Sequence, residues 1–257
     1  LDSSGTVPFD TAEVYQAFND NCDATFNFTP QVFTCGDVGA HLSSVSGTDE
    51  AGNTTEIDFI INVKDSLFPW IALFTDTVEL NASGQGSLDT SAVIDYIRDN
   101  CGIQTIVFSD LDFSASNLGL NTITVSVTDV NNNQSVALTD IWVVDLIDPN
   151  VKAKDLVLPL DASGLADITV FQVDNGSTDN IGFDTLYIDT SSYDCLDLGD
   201  HWVVLTGVDK SGNSDTAWSK VTVVDNMDPD VDVLNATIYL DSAGSAALSF
   251  HDVDNGS

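Results

Sequence analysis

The chain of 257 residues has a formal net charge of −35, with 41 acidic residues against six basic ones, and 43% of its residues are hydrophobic. So large a negative charge repels nucleic acids and anionic membrane surfaces, which we exclude as partners. No apolar run is long enough to span a membrane, and we expect any signal or anchor outside these residues.

The acidic residues are biased toward aspartate, since only four of them are glutamate. Aspartate caps tight turns with its own side chain and binds hard cations from short loops. The bias therefore favours structured, metal-binding loops, although a halophilic surface would also be acidic.

The sequence repeats with a period of about eighty residues. One turn motif begins at Leu1, Leu80, Leu160 and Leu240, which are 79, 80 and 80 residues apart. Three further landmarks share this period: a glycine (Gly39, Gly119, Gly199), an Asp/Asn pair (Asp49/Asn53, Asp129/Asn133, Asp209/Asn213) and a linker ending in proline (Pro69, Pro149, Pro229). Such periodicity is typical of tandem arrays.

The landmarks predict domains over 1–69, 70–149 and 150–229, and the start of a further, truncated repeat over 230–257. The first domain lacks an equivalent of Ile71–Glu79. Two explanations remain open: the sequence is part of a longer filament, or a neighbouring chain donates the strand.

Taken in chain order, the first two repeats each contain a short helical candidate, Thr11–Phe18 and Ser91–Ile97. The second repeat then alternates apolar and polar residues from Thr122 to Thr128, as a half-buried antiparallel strand does. In the third repeat a short apolar run, Leu156–Leu160, ends in a turn, and we predict strands at Ala166–Val173, Phe183–Ile188, His201–Asp209 and Asp215–Val224.

Short strands joined by Gly, Asn and Asp turns in an eighty-residue unit predict an all-β fold, with tandem immunoglobulin-like β-sandwich domains in an extended array. Trp142, Trp202 and Trp218 lie on predicted strands. We expect them to pack in a core or between domains, with an exposed sugar-stacking surface as the alternative.

The repeat has two cysteine positions. The first holds Cys22, Cys101 and Ile181 in the three repeats, and the second holds Cys35, Ala115 and Cys195. Because only the first repeat fills both positions, we predict a Cys22–Cys35 disulfide and hence an oxidising, extracellular setting. Cys101 and Cys195 are then buried free thiols or bond outside the chain.

The linkers between repeats are the first candidate metal sites. Their acids are Asp145 and Asp148 in one linker and Asp225, Asp228 and Asp230 in the next. Carboxylates so close together repel unless a cation lies among them, and the six to eight oxygen ligands of Ca²⁺ suit such a junction. A bound ion would stiffen the linker, whereas under the alternative the acids only solvate an exposed connection.

The equivalent linker from Lys64 to Pro69 has fewer acids and a lysine, so we expect it to be metal-free. A second candidate site is the loop containing Asp174 and Asp179. It has acids and a glycine, but the glycine is not where an EF-hand has it and no distal glutamate follows. A calcium loop of another kind and an Asx turn both remain open.

No catalytic constellation is evident. His41, His201 and His251 do not recur beside a nucleophile, and the sequence lacks a nucleophile elbow, a phosphate-binding loop and zinc-ligand spacing. We therefore predict that the chain is not an enzyme.

The assembled motifs resemble the hyalin-repeat and immunoglobulin-like modules that occur in tandem in very large bacterial surface adhesins, including those of gliding Bacteroidota. The resemblance rests on Gly199–Asn213, Val221–Asp225 and Asp228-Pro229, and on the Asp-Asn-Cys and Tyr-Asp-Cys positions. Repeats two and three depart from it in their incomplete cysteine pairs.

The resemblance implies a non-enzymatic stalk segment of an extracellular adhesin or filament at the cell surface, with Ca²⁺ at some linkers. Its partners would be neighbouring repeats, other copies in a filament, and a cell-surface or polysaccharide ligand. The alternatives are a self-assembling surface-layer or fibre subunit, and accessory β-modules of a secreted polysaccharide-degrading enzyme.

Overall fold

The computed structural model describes residues 1–10, 23–30 and 32–255, which are almost entirely β-structure in sandwich-like sheets. The predicted class, all-β with tandem immunoglobulin-like β-sandwich domains, is confirmed. The chain divides into two compact units, Leu1–Ile147 and Asp148–Ser257, so the first two repeats share one unit. The four boundaries inferred from the repeat stay predictions.

The first repeat forms a three-stranded antiparallel sheet in the order β2-β4-β5, and a separate pair of strands, β1 with β3. The strands are β1 (Thr6–Pro8), β2 (Ala24–Thr29), β3 (Val32–Thr34), β4 (Gly39–Asp49) and β5 (Thr54–Val63). The predicted helix at Thr11–Phe18 lies outside the described residues. The N-terminal amine of Leu1 donates to the carbonyl of Lys64 at 3.0 Å.

The second repeat has eight strands and one α-helical turn. They are β6 (Trp70–Leu73), β7 (Asp76–Glu79), β8 (Gln85–Ser87), α1 (Thr90–Val93), β9 (Ile94–Arg98), β10 (Ile103–Phe108), β11 (Asp112–Ser114), β12 (Gly119–Asp129) and β13 (Gln134–Val144). The main sheet has the order β10-β12-β13-β7, in which β7 pairs parallel to β13. Antiparallel pairs β6–β9 and β8–β11 complete the domain.

The third repeat follows the same plan within the second unit. Its elements are β14 (Leu156–Pro159), β15 (Leu165–Asp167), α2 (Val170–Val173), β16 (Phe183–Ile188), β17 (Ser192–Asp194), β18 (Gly199–Asp209) and β19 (Ser214–Val224). The main sheet has the order β14-β19-β18-β16. Its core is formed by Leu158, Leu160, Ile168, Val173, Tyr193, Val203, Val221 and Val223.

The predicted alternation is confirmed on β12, where Ile123, Val125 and Val127 are buried and Thr124 and Ser126 between them are more exposed. The predicted strand Ala166–Val173 is only partly correct, because the chain leaves β15 at Asp167 and makes the single turn α2. That turn starts at Thr169, whose N–H donates to the side chain of Gln172 at 2.9 Å, and it buries Val173 fully. None of the helices in the described part of the chain has the length and apolar character needed to cross a lipid bilayer.

Aspartates close the hairpins that join the two long strands of each repeat. In the second repeat Asp129 accepts hydrogen bonds from the N–H groups of Asn131 and Asn133, both at 2.8 Å, and from the Asn133 side chain at 2.7 Å. In the first repeat Asp49 likewise accepts from the N–H and the side chain of Asn53, at 2.8 and 2.7 Å. These bonds satisfy turn amides that would otherwise need water.

The hairpin of the first repeat predicts a dependence of stability on pH. The side-chain amide and the N–H of Asn53 hold the pKa of Asp49 below its usual value. Because the folded-state pKa is depressed, this stabilisation is present above the unfolded-state pKa of about 3.9 and is lost as the pH falls through the folded value. Thermal melts should therefore show Asp49→Asn destabilised relative to the unaltered chain at pH 7, with the difference shrinking below about pH 4. A difference that stays constant down to pH 3 would contradict this role.

Candidate metal centre at the first repeat junction

Three carboxylates from different landmarks meet where the first two repeats join. Asp65 lies in the linker after β5, Asp99 in the loop after β9, and Asp129 at the end of β12. Each offers an oxygen that lies within 4.8 Å of the other two. Asp129 is fully buried, Asp65 is 8% exposed, and Asp99 is partly buried. One repeat thus supplies one acid and the next supplies two.

Backbone amides fix the orientation of two of these carboxylates. Oδ1 of Asp99 accepts from the N–H groups of Cys101 and Gly102, at 2.9 and 3.1 Å. Oδ1 of Asp65 accepts from the N–H of Leu67 at 3.3 Å and from the side-chain amide of Asn100 at 3.1 Å. Since Asn100 belongs to the second repeat, its bond to Asp65 also ties the linker to the following domain.

The other oxygen of each carboxylate is left for a ligand. Oδ2 of Asp65 and Oδ2 of Asp99 are both buried and have no hydrogen-bond partner among the described residues. A buried carboxylate oxygen without a hydrogen-bond partner destabilises the folded state, and two such oxygens beside a third carboxylate destabilise it further. A cation bound between the carboxylates would offset this destabilisation. The donor set, carboxylate oxygen without histidine or cysteine, suits Ca²⁺ or Mg²⁺ rather than zinc.

The expectation of a metal-free linker at Asp65 rested on counting acids along the chain. The linker is not the only source of acids at this site, because Asp99 and Asp129 reach it from the neighbouring repeat, 34 and 64 positions further on. Asp99 directly follows the helical candidate Ser91–Ile97 and Arg98, and Asp129 belongs to the recurring Asp/Asn landmark. The recurrence of all three acids at the period of the repeat was the signal available in the sequence.

The acids predicted as linker ligands lie in different surroundings. Asp145 is buried at the end of the first unit, and its Oδ1 accepts from the N–H of Ile147 at 3.4 Å. Asp148, Asp225, Asp228 and Asp230 are exposed. The N–H of Met227 donates to Asp225 at 3.0 Å, as in an Asx turn. Metal binding by these five acids stays a prediction.

The two loop acids of the third repeat also differ from one another. Asp174 accepts from the hydroxyl and the N–H of Ser177, at 2.6 and 3.0 Å, and the hydroxyl lowers its pKa most. These bonds lie within the loop, and metal binding by Asp174 and Asp179 stays a prediction. Asp179 and Asp209, both in the second unit, each offer a carboxylate oxygen, and these two oxygens lie within 4.8 Å of each other. Asp145, Asp179 and Asp209 also stand at the repeat positions of Asp65, Asp99 and Asp129 in the sequence.

The predicted Cys22–Cys35 disulfide is wrong, because Cys35 is bonded to Cys101 of the second repeat. The Cα atoms of this pair are 5.4 Å apart and 66 residues apart in sequence. Cys22 lies outside the described residues. The idea that Cys101 is a free thiol fails with the same finding, and Cys195 is a free thiol but an exposed one. Because both cysteine positions fall within one repeat, the sequence pattern favours a bond inside a domain over one across a junction.

The disulfide and the acidic cluster share one loop. Asn100 and Cys101 directly follow Asp99, and the turn at Gly5 packs against this loop from the first repeat. A Cβ on Gly5 would lie 2.7 Å from the Cys35 sulfur and 2.8 Å from the Asn100 carbonyl oxygen, so a side chain at residue 5 would push the two repeats apart. Gly5 also has φ of +73°, which favours glycine.

The tryptophans on the strands are exposed rather than packed in a core. Trp202 and Trp218 lie on neighbouring strands of the third repeat, and both are more than half exposed. Tyr187, on the next strand, is also exposed. The expectation of core packing is therefore wrong within each unit. The reason is strand parity, because these residues alternate with buried ones such as Val203 and Ser219.

Comparisons with known proteins define no family for the chain. No protein-family model matches it, and no curated protein matches it. Among solved structures it is similar to extracellular cadherin domains 1–4 of protocadherin gamma B7, with a TM-score of 0.33, 10% identity, and coverage of 92% of this chain and 76% of that one. Domains 1–2 of human mucin-like protocadherin give a TM-score of 0.35 and 14% identity, covering 62% of this chain and 98% of that one. Scores and identities this low carry no conclusion about this chain.

The revised disulfide has a direct test. Cleavage at aspartate without reduction separates Cys22 from Cys35 at Asp23, so mass spectrometry should find the Cys35 peptide linked to the Cys101 peptide. Replacing both cysteines by serine should destabilise the first unit by roughly 4 kcal/mol in urea unfolding, as expected for a closed loop of this length. Serine in place of Cys195 serves as the matched control and should leave stability unchanged. A Cys22–Cys35 linked peptide would contradict the junction disulfide.

The metal centre is tested by calorimetric titration of the chain with Ca²⁺. Asp65→Asn keeps the side-chain shape but removes a charged ligand, and loss of a ligand should weaken the site at least about tenfold, since even supporting residues are worth 10–100-fold. The variant should therefore bind this Ca²⁺ with a Kd at least about tenfold higher than that of the unaltered chain. Asp58→Asn, on the exposed side of β5, should bind as the unaltered chain does. Equal stoichiometry and affinity for both variants would exclude Asp65 as a ligand.

Proposed function

We propose that the chain is a non-enzymatic stalk segment of an extracellular adhesin or surface filament. Its β-domains would space a binding region away from the cell surface, and the fixed junctions between them would keep the stalk stiff. The sequence motifs shared with hyalin-repeat and immunoglobulin-like modules support an origin in bacterial surface adhesins.

The observation that carries this proposal is the double attachment at the first junction. The Cys35–Cys101 bond joins the two repeats covalently, and the Asp65, Asp99 and Asp129 carboxylates offer a cation site across the same junction. A protein whose function was confined to one domain would gain little from fixing the angle to the next. Fixed angles matter when many domains must act together as a spacer.

An extracellular, cell-surface location fits the same junction. A disulfide persists in an oxidising compartment, and Ca²⁺ is abundant outside the cell but scarce in the cytosol. The weak, multidentate oxygen sites of extracellular modules bind Ca²⁺ in the range of about 10⁻⁴ to 10⁻³ M, which such a compartment supplies. We therefore propose Ca²⁺ as the resident ion of the Asp65 cluster.

The histidines, the residues most often used in catalysis, have structural contacts that support a non-enzymatic role. His201 Nε2 shares a hydrogen bond with the carbonyl of Asp197 at 2.6 Å, and the ring lies 5.4 Å from that of Tyr193. His41, at the same repeat position, packs edge-on against Phe33 at 5.6 Å. Both rings therefore pack near the start of a long strand, His41 on β4 and His201 on β18.

The proposal is tested by removing the ion from the whole chain. Saturation at about a hundred times Kd stabilises a folded state by about 2.7 kcal/mol, so adding a chelator should lower the melting temperature of the first unit by roughly 5–10 °C. Small-angle scattering should show a wider range of maximum dimensions without Ca²⁺. Asp65→Asn should behave with Ca²⁺ as the unaltered chain does with chelator.

Two results would oppose the stalk proposal. If the chelator changes neither the melting temperature nor the scattering, the ion does not stiffen the junction. If the particle mass grows with protein concentration in the presence of Ca²⁺, a self-assembling fibre subunit explains the chain better.

A further inference from the structure

A loop of the second repeat, residues 99–102, contains both a candidate metal ligand and one half of the junction disulfide. Asp99 is the candidate ligand, and Cys101 is bonded to Cys35 of the first repeat. Oδ1 of Asp99 accepts from the N–H of Cys101 at 2.9 Å, so the carboxylate and the cysteine backbone are held to each other directly. We call this segment the junction loop.

Asn100, in the middle of the junction loop, contacts both the metal centre and the disulfide. Its side-chain amide donates to Oδ1 of Asp65 at 3.1 Å and to the Cys101 sulfur at 3.4 Å. Its carbonyl oxygen lies 3.5 Å from the Cys35 sulfur. A shift of the junction loop that breaks the bond to Asp65 therefore also moves the backbone that lies against Cys35.

The third repeat has a cysteine at the same position with a different exposure. The Cys195 sulfur lies 3.6 Å from the carbonyl oxygen of Gly164, just as the Cys35 sulfur lies 3.6 Å from that of Gly5. Cys195 is nevertheless exposed, whereas Cys35 is partly buried. Because the turn behind the sulfur is common to both, contact with the junction loop accounts for the lower exposure of Cys35.

The metal centre determines how firmly the junction loop is held. Oδ2 of Asp65 and Oδ2 of Asp99 are buried beside Asp129 and have no hydrogen-bond partner among the described residues. Without a cation the like charges repel one another, and the repulsion acts across the junction because Asp65 belongs to the first repeat and Asp99 to the second. A bound Ca²⁺ replaces this repulsion by attraction of both carboxylates to one ion.

We propose that Ca²⁺ at this centre controls the reduction of the Cys35–Cys101 disulfide. With the ion bound, the junction loop stays against Cys35 and protects the disulfide. Without the ion the loop opens, and reduction is faster because its rate depends on access to the sulfur. The inference rests on the proposed function, which assigns Ca²⁺ to the Asp65 cluster. The coupling is reciprocal, so a reduced junction binds Ca²⁺ more weakly.

Charge alone gives the opposite dependence when the reductant is an anion. Three carboxylates repel a thiolate, and Ca²⁺ would weaken that repulsion and speed the attack. A neutral phosphine, tris(hydroxypropyl)phosphine, avoids this effect. Its phosphorus attacks one sulfur and releases the other as a thiolate, and water then displaces the second sulfur from phosphorus. The disulfide is reduced to two thiols with the two protons of water, and the phosphine is oxidised to its oxide with the oxygen.

The test measures the rate of reduction of the whole chain at increasing Ca²⁺ concentration. Free thiols are first alkylated with iodoacetamide, and the thiols that the phosphine releases are labelled with isotopically heavy iodoacetamide and assigned by peptide mapping. Only the open loop reacts, and the open loop does not bind the ion. The rate for Cys35 and Cys101 should therefore fall about tenfold at ten times the calorimetric Kd and about a hundredfold at a hundred times that Kd.

Two variants show whether the protection comes from the metal centre. Asp65→Asn removes a ligand that lies outside the junction loop. At ten times the Kd of the unaltered chain, its rate should fall no more than about twofold relative to its own rate without Ca²⁺. Asp58→Asn, exposed on β5, is the matched control and should be protected as the unaltered chain is.

The reciprocal effect is measured by calorimetry on a chain without the disulfide. Cys35→Ser combined with Cys101→Ser should raise the Kd for Ca²⁺ by roughly 5–150-fold, the usual range of coupling between two sites. An unchanged Kd in a folded double variant would overturn the coupling.

The outcomes separate this inference from the proposals on which it rests. If Ca²⁺ binds and Asp65→Asn weakens the binding, but reduction is not slowed by the ion, the coupling is overturned while the metal centre and the stalk proposal stand. If Ca²⁺ neither binds nor slows reduction, the metal centre is excluded and the coupling with it. Equal slowing in Asp65→Asn and the unaltered chain would also overturn the coupling, because a general effect of the ion would then explain the protection.

Discussion

The backbone amides of tight turns need acceptors, and the aspartate side chains that supply them hold this structure together. Asp129 accepts three hydrogen bonds within its hairpin, which fixes the turn and hence the register of β12 against β13. Because its carboxylate is held at the end of the sheet, the same residue faces the junction beside Asp65. The aspartate-rich composition therefore serves both the hairpin and the candidate cation site.

The fold was largely predictable because it depends on local rules. Alternation along β12 and β18 reports which side chains are buried, and the repeat spacing locates equivalent turns. The single turns α1 and α2 were harder, because four residues are too few to show a helical period. Trp202 and Trp218 are exposed although large aromatic side chains favour a core, because strand parity decides the face of the sheet on which a residue lies.

The junction could not be predicted by the same means, because its residues are distant in sequence. Cys35 pairs with a residue 66 positions away, and Asp65 meets Asp99 and Asp129 only after the second repeat has folded. The three acids nevertheless recur with the period of the repeat, whereas Ala115 and Ile181 replace the two cysteines at the next junction. Residues that keep a repeat position but contact a neighbouring repeat are found by comparing junctions, not by comparing domains.

The Cys35–Cys101 bond also determines how the chain responds to a pulling force. Tension that reaches Cys35 passes through the disulfide to Cys101, and the residues between them, including all of β4, β5 and β6, carry no load. If the first unit unfolds, these residues cannot extend, which withholds roughly 220 Å of contour length from the stretched chain. A junction disulfide thus acts as a limit on extension, and reduction would release that length in a single step.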